Sequence, residues 1–140
     1  MVRGVEPIIA ELRDAISLIR VKWLEGRNAA GLGRRQEALA ILAEARQQFA
    51  DRKMFYDVAL ALLEESALLL DEGRYAEVQA LTPELAEVFK SKGVHHQALA
   101  ALRLFEEAVK REEATAELAR SVLRFLFRAR YNQGLRFSDS

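Results

Sequence analysis

GRRQEALAILAEARQQFADRKMFYDVALALLEESALLLDEGRYAEVQAL, residues Gly33 to Leu81, decides the fold. Its end repeats its beginning. Gly33-Arg34 return as Gly73-Arg74, Glu37 as Glu77, Ala38 as Val78, Ala40 as Ala80 and Ile41 as Leu81, always 40 positions on. The register continues outward: Phe49 falls on Phe89, Asp51 on Ser91, Met54 on Val94, Val58 on Ala98 and Leu62 on Leu102. A fixed period of this length marks stacked supersecondary units, each covering its neighbour's apolar face.

Apolar residues recur every three or four positions, so the units are helical. Pro7 suits a first helical turn. Helix one is expected from Pro7 to Gly31, with Ile8, Leu12, Ile16, Ile19 and Trp23 inward. Gly31-Leu32-Gly33 is the turn, and helix two runs from Arg34 to Ala50. Asp51 is expected to cap helix three, whose apolar core LALLEESALLL places it mid-stack. Gly73 closes that helix in a left-handed conformation. Helix four reaches Ser91, broken at Pro83, with Thr82 capping its second half. Lys92-Gly93 is the next turn. Helix five spans Val94 to Arg111, and Glu112-Glu113-Ala114 replaces a glycine turn. Helix six runs from a Thr115 cap to Tyr131, and Phe137 can fold back onto it. The expectation is one all-α domain: a right-handed superhelix of three antiparallel hairpins, units 7–50, 51–91 and 92–131, with a tail at 132–140.

Gly26, Ala29-Ala30, Gly33, Ala38, Leu42 and Ala45 place small residues where two helices must approach closely. With GRRQEALAILAEA and GRYAEVQAL, this pattern resembles the tetratricopeptide (TPR) repeat, with Gly26 against Ala38 as the close pair. The period exceeds that family's usual value of about 34 residues, and HEAT-type arrays are the structural alternative. The chain is also similar to TPR-like segments within larger bacterial regulatory and signalling proteins. The resemblance implies a scaffold that binds a protein or peptide partner in a concave groove. By helical register that groove is lined by Arg20, Trp23, Arg27, Asp57, Glu64, His96 and Arg103.

The composition is that of an ordinary helix-rich protein: 51% hydrophobic and 30% charged, with no cysteine. No apolar run is long enough to span a membrane, and the N-terminus lacks a signal-peptide core, so the cytoplasm is expected. The 21 basic and 21 acidic residues cancel, which argues against bulk nucleic-acid binding. Their distribution is uneven, because residues 1–50 sum to +2, residues 51–90 to −5 and residues 91–140 to +3. Segments of opposite sign can pair with each other or steer a charged partner. Solvated helix faces are the plainer account.

Chemistry is scarce. His95 and His96 are adjacent, so they point about 100° apart on a helix and cannot share a metal as an i, i+4 pair does. One period earlier stand Phe55 and Tyr56, which gives the histidines a half-buried aromatic slot. The acidic pairs Glu64-Glu65, Asp71-Glu72, Glu106-Glu107 and Glu112-Glu113 lack the ExxH of a di-metal bundle. No phosphate-binding glycine motif occurs. We therefore assign no catalytic residue, metal or cofactor. The last helix carries an arginine ridge, Arg120, Arg124 and Arg128, opposite an apolar side that includes Phe127 and Tyr131. Three readings of it follow: a wrapped end of the stack, an interface with a second copy or another domain, or a grip on nucleic acid or acidic lipid.

Overall fold

The structure is a computed structural model that describes residues 5–130, 132 and 137. It is all-helical, with no strand among the described residues. Helix α1 spans Val5–Gly31, α2 Arg35–Asp51, α3 Phe55–Asp71, α4 Tyr75–Leu81, α5 Leu85–Lys90, α6 His96–Lys110 and α7 Ala116–Ala129. A 3₁₀ turn, Thr82–Glu84, carries Pro83 and joins α4 to α5, so the proline breaks helix four as its missing N–H requires. Thr82 does not cap the second half. Its hydroxyl donates back to the Gln79 carbonyl at 3.2 Å instead.

Four turns share one construction. Gly33, Lys53, Gly73 and Glu112 adopt positive φ (80°, 57°, 72° and 58°). In each turn the next residue's N–H returns to a carbonyl five positions back, Arg34 to Ala29, Met54 to Phe49, Arg74 to Leu69 and Glu113 to Ala108. These are Schellman closures, which satisfy carbonyls that a helix end leaves open. Glu112 thus does the work of a turn glycine. Asp51 is not a cap: α2 runs through it, and the left-handed residue that ends the helix is Lys53. Thr115 does cap α7, its Oγ1 accepting from the Leu118 N–H at 3.0 Å.

The core centres on α3. Every residue from Tyr56 to Leu69 except Glu64 is buried. Such a helix needs cover on all sides, and α2, α4, α5 and α7 supply it, with α1 touching it more lightly. Gly26 makes the close approach between α1 and α2, but against Leu42 and Ile41 rather than Ala38. A Cβ there would lie 2.9 Å from Leu42 Cγ and 3.3 Å from Ile41 Cγ2.

The third pair departs from a sequential stack. Stacking by repeat would lay α6 on α3, yet α7 lies there instead and α6 sits outside, against α7, α4 and α5. Burial explains the exchange. Val122, Phe125, Leu126 and Ala129 are all 0% exposed. This apolar side of α7 finds its match in α3's remaining face.

Candidate functional site

The expected groove residues on α1 and α3 converge, and the chain's own last helix fills the space between them. Trp23 stacks on Phe127 with ring centroids 5.5 Å apart and planes 17° from parallel. The Arg27 guanidinium lies 5.3 Å from the Trp23 ring centroid and 5.1 Å from that of Phe127, a cation held by two π faces. Its Nε also forms an ion pair with Glu64 at 2.8 Å. Asp57 accepts two hydrogen bonds from Arg130, at 3.1 and 2.8 Å. The Tyr56 hydroxyl donates to the Leu126 carbonyl at 2.6 Å. At the other end of α3, Asp71 accepts from Arg120. The order of these pairs, 57 with 130 and 71 with 120, sets α7 antiparallel to α3.

The electrostatics follow from burial. Desolvation pushes the Glu64 carboxyl up against the opposing pull of Arg27 and Arg120. Asp71, at the rim, is held below the usual carboxylate range by its hydrogen bond to Arg120. Burial raises the Tyr56 phenol to about 12, so it stays a donor at any physiological pH. Behind this face Arg46 bridges Glu65, at 2.6 Å, and Glu84. Burial, with the nearby Glu84 charge adding to it, lifts Glu65 to about 7 even though Arg46 pulls it down.

The other expected residues lie elsewhere. His96 and Arg103 are exposed on α6, with the Arg103 guanidinium 4.6 Å from the Phe89 ring centroid. Arg20 is exposed and lines a cleft of about 250 Å³ beside the start of α3, with Lys53, Asp57 and Arg130. The arginine ridge is divided: Arg120 is spent on Asp71, whereas Arg124, hydrogen-bonded to Ser121, and Arg128 face solvent. Tyr131 lies outside the described residues. Phe137 packs edge-on against Phe125 at 5.4 Å. Both histidines stand at the start of α6, His95 half-buried as its aromatic slot requires and His96 outside it. Among the described residues, no group of three or more His, Cys, Asp or Glu could hold a metal ion, and no helix is long and apolar enough to cross a membrane.

The sequence reading missed the exposed apolar residues of α1. Helix α1 has 27 residues and α2, which covers it, has 17. At about 1.5 Å per residue, α1 overhangs by about 15 Å. Ile19 and Trp23 are buried under α2 and its neighbours, at 5% and 8% exposure, whereas Ile8 and Leu12 on the same stripe are 65% and 49% exposed. Ile9, Leu18, Val21 and Leu24 are exposed as well. Where the cover stops there is an open notch of about 480 Å³, lined by Ala15, Leu18, Ile19, Gln48, Asp51 and Arg52. The sequence did hold a signal for this, since the first helix reads as several residues longer than the second. Comparison with protein-family models, with curated proteins and with solved structures gives no match.

Proposed function

We propose that this chain is a TPR-like protein-interaction module that docks a helical segment of a partner protein along the overhanging half of α1. The TPR-like reading is supported by the 40-residue register and by the Schellman turns at Gly33 and Gly73, which stand one period apart. One observation carries the choice of surface. Ile8, Ile9 and Leu12 prolong the buried Ile19/Trp23 stripe and stand exposed. Exposed aliphatic residues scattered singly need no explanation, but a row continuous with the core marks a docking face. The groove expected between α1 and α3 is occupied by α7. The apolar side of α7, which a homodimer through that helix would need, is buried in the same place.

The experiment is a pull-down from the native host with the wild type, Ile9→Glu/Leu12→Glu and Arg124→Glu/Arg128→Glu. Loss of a bound protein in the first variant alone, with an unchanged melting curve, supports the α1 surface. Loss in the arginine variant alone transfers the function to α7 and ends this reading.

A further inference from the structure

Resting on that reading, we infer that the occupant of the overhang is the same segment of a second copy of this chain, laid antiparallel to it. Helix α1 carries a seam, Ile9, Leu12, Ile16, Ile19 and Trp23, spaced alternately by three and four. Its inner end, Ile19 and Trp23, is buried, and its outer end, Ile9 and Leu12, is exposed. Beside the outer end, one edge of the seam carries Glu6 and Arg13, one heptad apart and opposite in charge. The other edge carries Ile8 and Ala15. An edge that holds both signs can answer itself, provided that direction and register bring the two signs together.

The existing cover selects the direction. The seam is covered from Ile19 inward, and the notch at Ala15, Leu18 and Ile19 marks where that cover stops. In a parallel pair both covers would begin at the same level, and each helix would run into the partner's α2. In an antiparallel pair the two bodies lie at opposite ends, and neither obstructs the other. Helix α2 is itself antiparallel to α1, since Gly26 meets Leu42 while Ile19 shares the notch with Gln48 and Asp51. The second copy therefore enters at the notch and prolongs the line of α2.

Charge selects the register. With Ile9 of each copy level with Leu12 of the other, the position of Glu6 falls beside Arg13 on both sides of the two-fold axis. The same register lays Ile8 over Ala15 along the other edge. A slide of one heptad inward sets Arg13 against Arg13 and asks for Ile19, which is already buried. A slide of one heptad outward sets Glu6 against Glu6. Like charges brought together reject both alternatives. One register thus suits the apolar seam, both of its edges and the existing cover. The seam is short beside a stable interface of about 1,200 Å² or more, so the pair forms at high protein concentration and a dilute melt reports the monomer.

The test is sedimentation velocity of the whole chain from micromolar to millimolar concentration at low ionic strength, with variants matched for helicity by circular dichroism. The wild type should pass from monomer to dimer, and Leu12→Glu should stay monomeric. Glu6→Arg and Arg13→Glu should each weaken dimerisation about five-fold, because each sets like charges together at two symmetric places. An equimolar mixture of these two variants should dimerise as the wild type does, since opposite charges face each other again. The double variant Glu6→Arg/Arg13→Glu should do the same alone. Added salt should shrink all of these differences. A wild type that stays monomeric throughout would overturn the inference, and the host pull-down would then show whether α1 docks a different protein. A dimer that survives Leu12→Glu is built elsewhere and would overturn it as well. A dimer lost on Leu12→Glu but indifferent to the charge variants and their mixture would overturn the antiparallel pairing.

Discussion

Leu12→Ala and Ile19→Ala truncate the same stripe of the same helix one heptad apart, and they should behave oppositely. Ile19 is 5% exposed beneath α2, so its loss removes transfer free energy and leaves a cavity, about 2–5 kcal/mol. Leu12 is 49% exposed beyond the end of α2. It has little contact to lose, and alanine is the better helix former by a few tenths of a kcal/mol, so its change should stay within about 0.5 kcal/mol of zero. For a domain of this size one kcal/mol moves the melting temperature by about 3 °C. Circular dichroism melts should therefore show Ile19→Ala falling by about 6–15 °C and Leu12→Ala by no more than about 2 °C. Urea titration of the Trp23 fluorescence should return the same order. A Leu12→Ala loss above about 2 kcal/mol would mean that the overhang is covered in solution, and the free docking face would not exist. Repeating the melt over a range of protein concentrations identifies the cover, because only a second copy makes the loss depend on concentration.

Three further outcomes test the frame that holds this face. Gly26→Ala gains about 1 kcal/mol of helix propensity but forces a methyl to 2.9 Å from the Cγ of the fully buried Leu42. Overpacking of about 1–3 kcal/mol should win, so urea unfolding should show a net loss, and a gain would place α2 further from α1 than it is. Lys53→Gly keeps the left-handed turn at φ 57° but removes the Cβ that strains it, and should stabilise by about 1 kcal/mol; an unchanged denaturation midpoint would refute that strain. Glu65 holds its proton up to about pH 7 when folded, against an ordinary value of 4.5. Between those values the folded state binds more protons than the unfolded, so this group's contribution is fully present below about pH 4.5 and lost as pH rises to about 7. The stability difference between wild type and Glu65→Gln should shift against the wild type from pH 5 to pH 7 and then level off, and a difference independent of pH would refute the assignment.

The elements were legible in the sequence because each rests on local chemistry. Pro83 breaks a helix wherever it sits in one, Thr115 caps the helix after it, and Gly33 and Gly73 permit the left-handed step that ends a helix. Lys53 was not legible, since nothing in a lysine announces a positive φ, and Asp51 beside it carried a stronger capping signal. The candidate site was half legible. Helical phase turned Trp23, Arg27, Asp57 and Glu64 toward the space that α7 fills, but phase does not say what occupies it. The repeat register favoured α6 as the neighbour of α3. The choice of α7 depends on matching two whole surfaces, a non-local property that shows only when Phe127 meets Trp23 and Arg130 meets Asp57.

The uneven charge of the chain belongs to the same matching. The acidic middle segment contributes Asp57, Glu64, Glu65, Asp71 and Glu84, and the basic flanking segments answer with Arg130, Arg27, Arg46 and Arg120. Opposite-signed segments thus close on each other, and most of the imbalance that invites a charged partner in the sequence is consumed inside the fold. Such pairs contribute modestly where exposed. Their larger effect is to fix register, because sliding α7 along α3 would bury Asp57, only 4% exposed at its side chain, without a cation. The same rule applied outward decides where recognition remains. A helix edge whose arginines are answered by carboxylates is interior architecture. Ile8, Ile9 and Leu12, exposed on α1 beyond the end of α2, are where an apolar face is left open among the described residues.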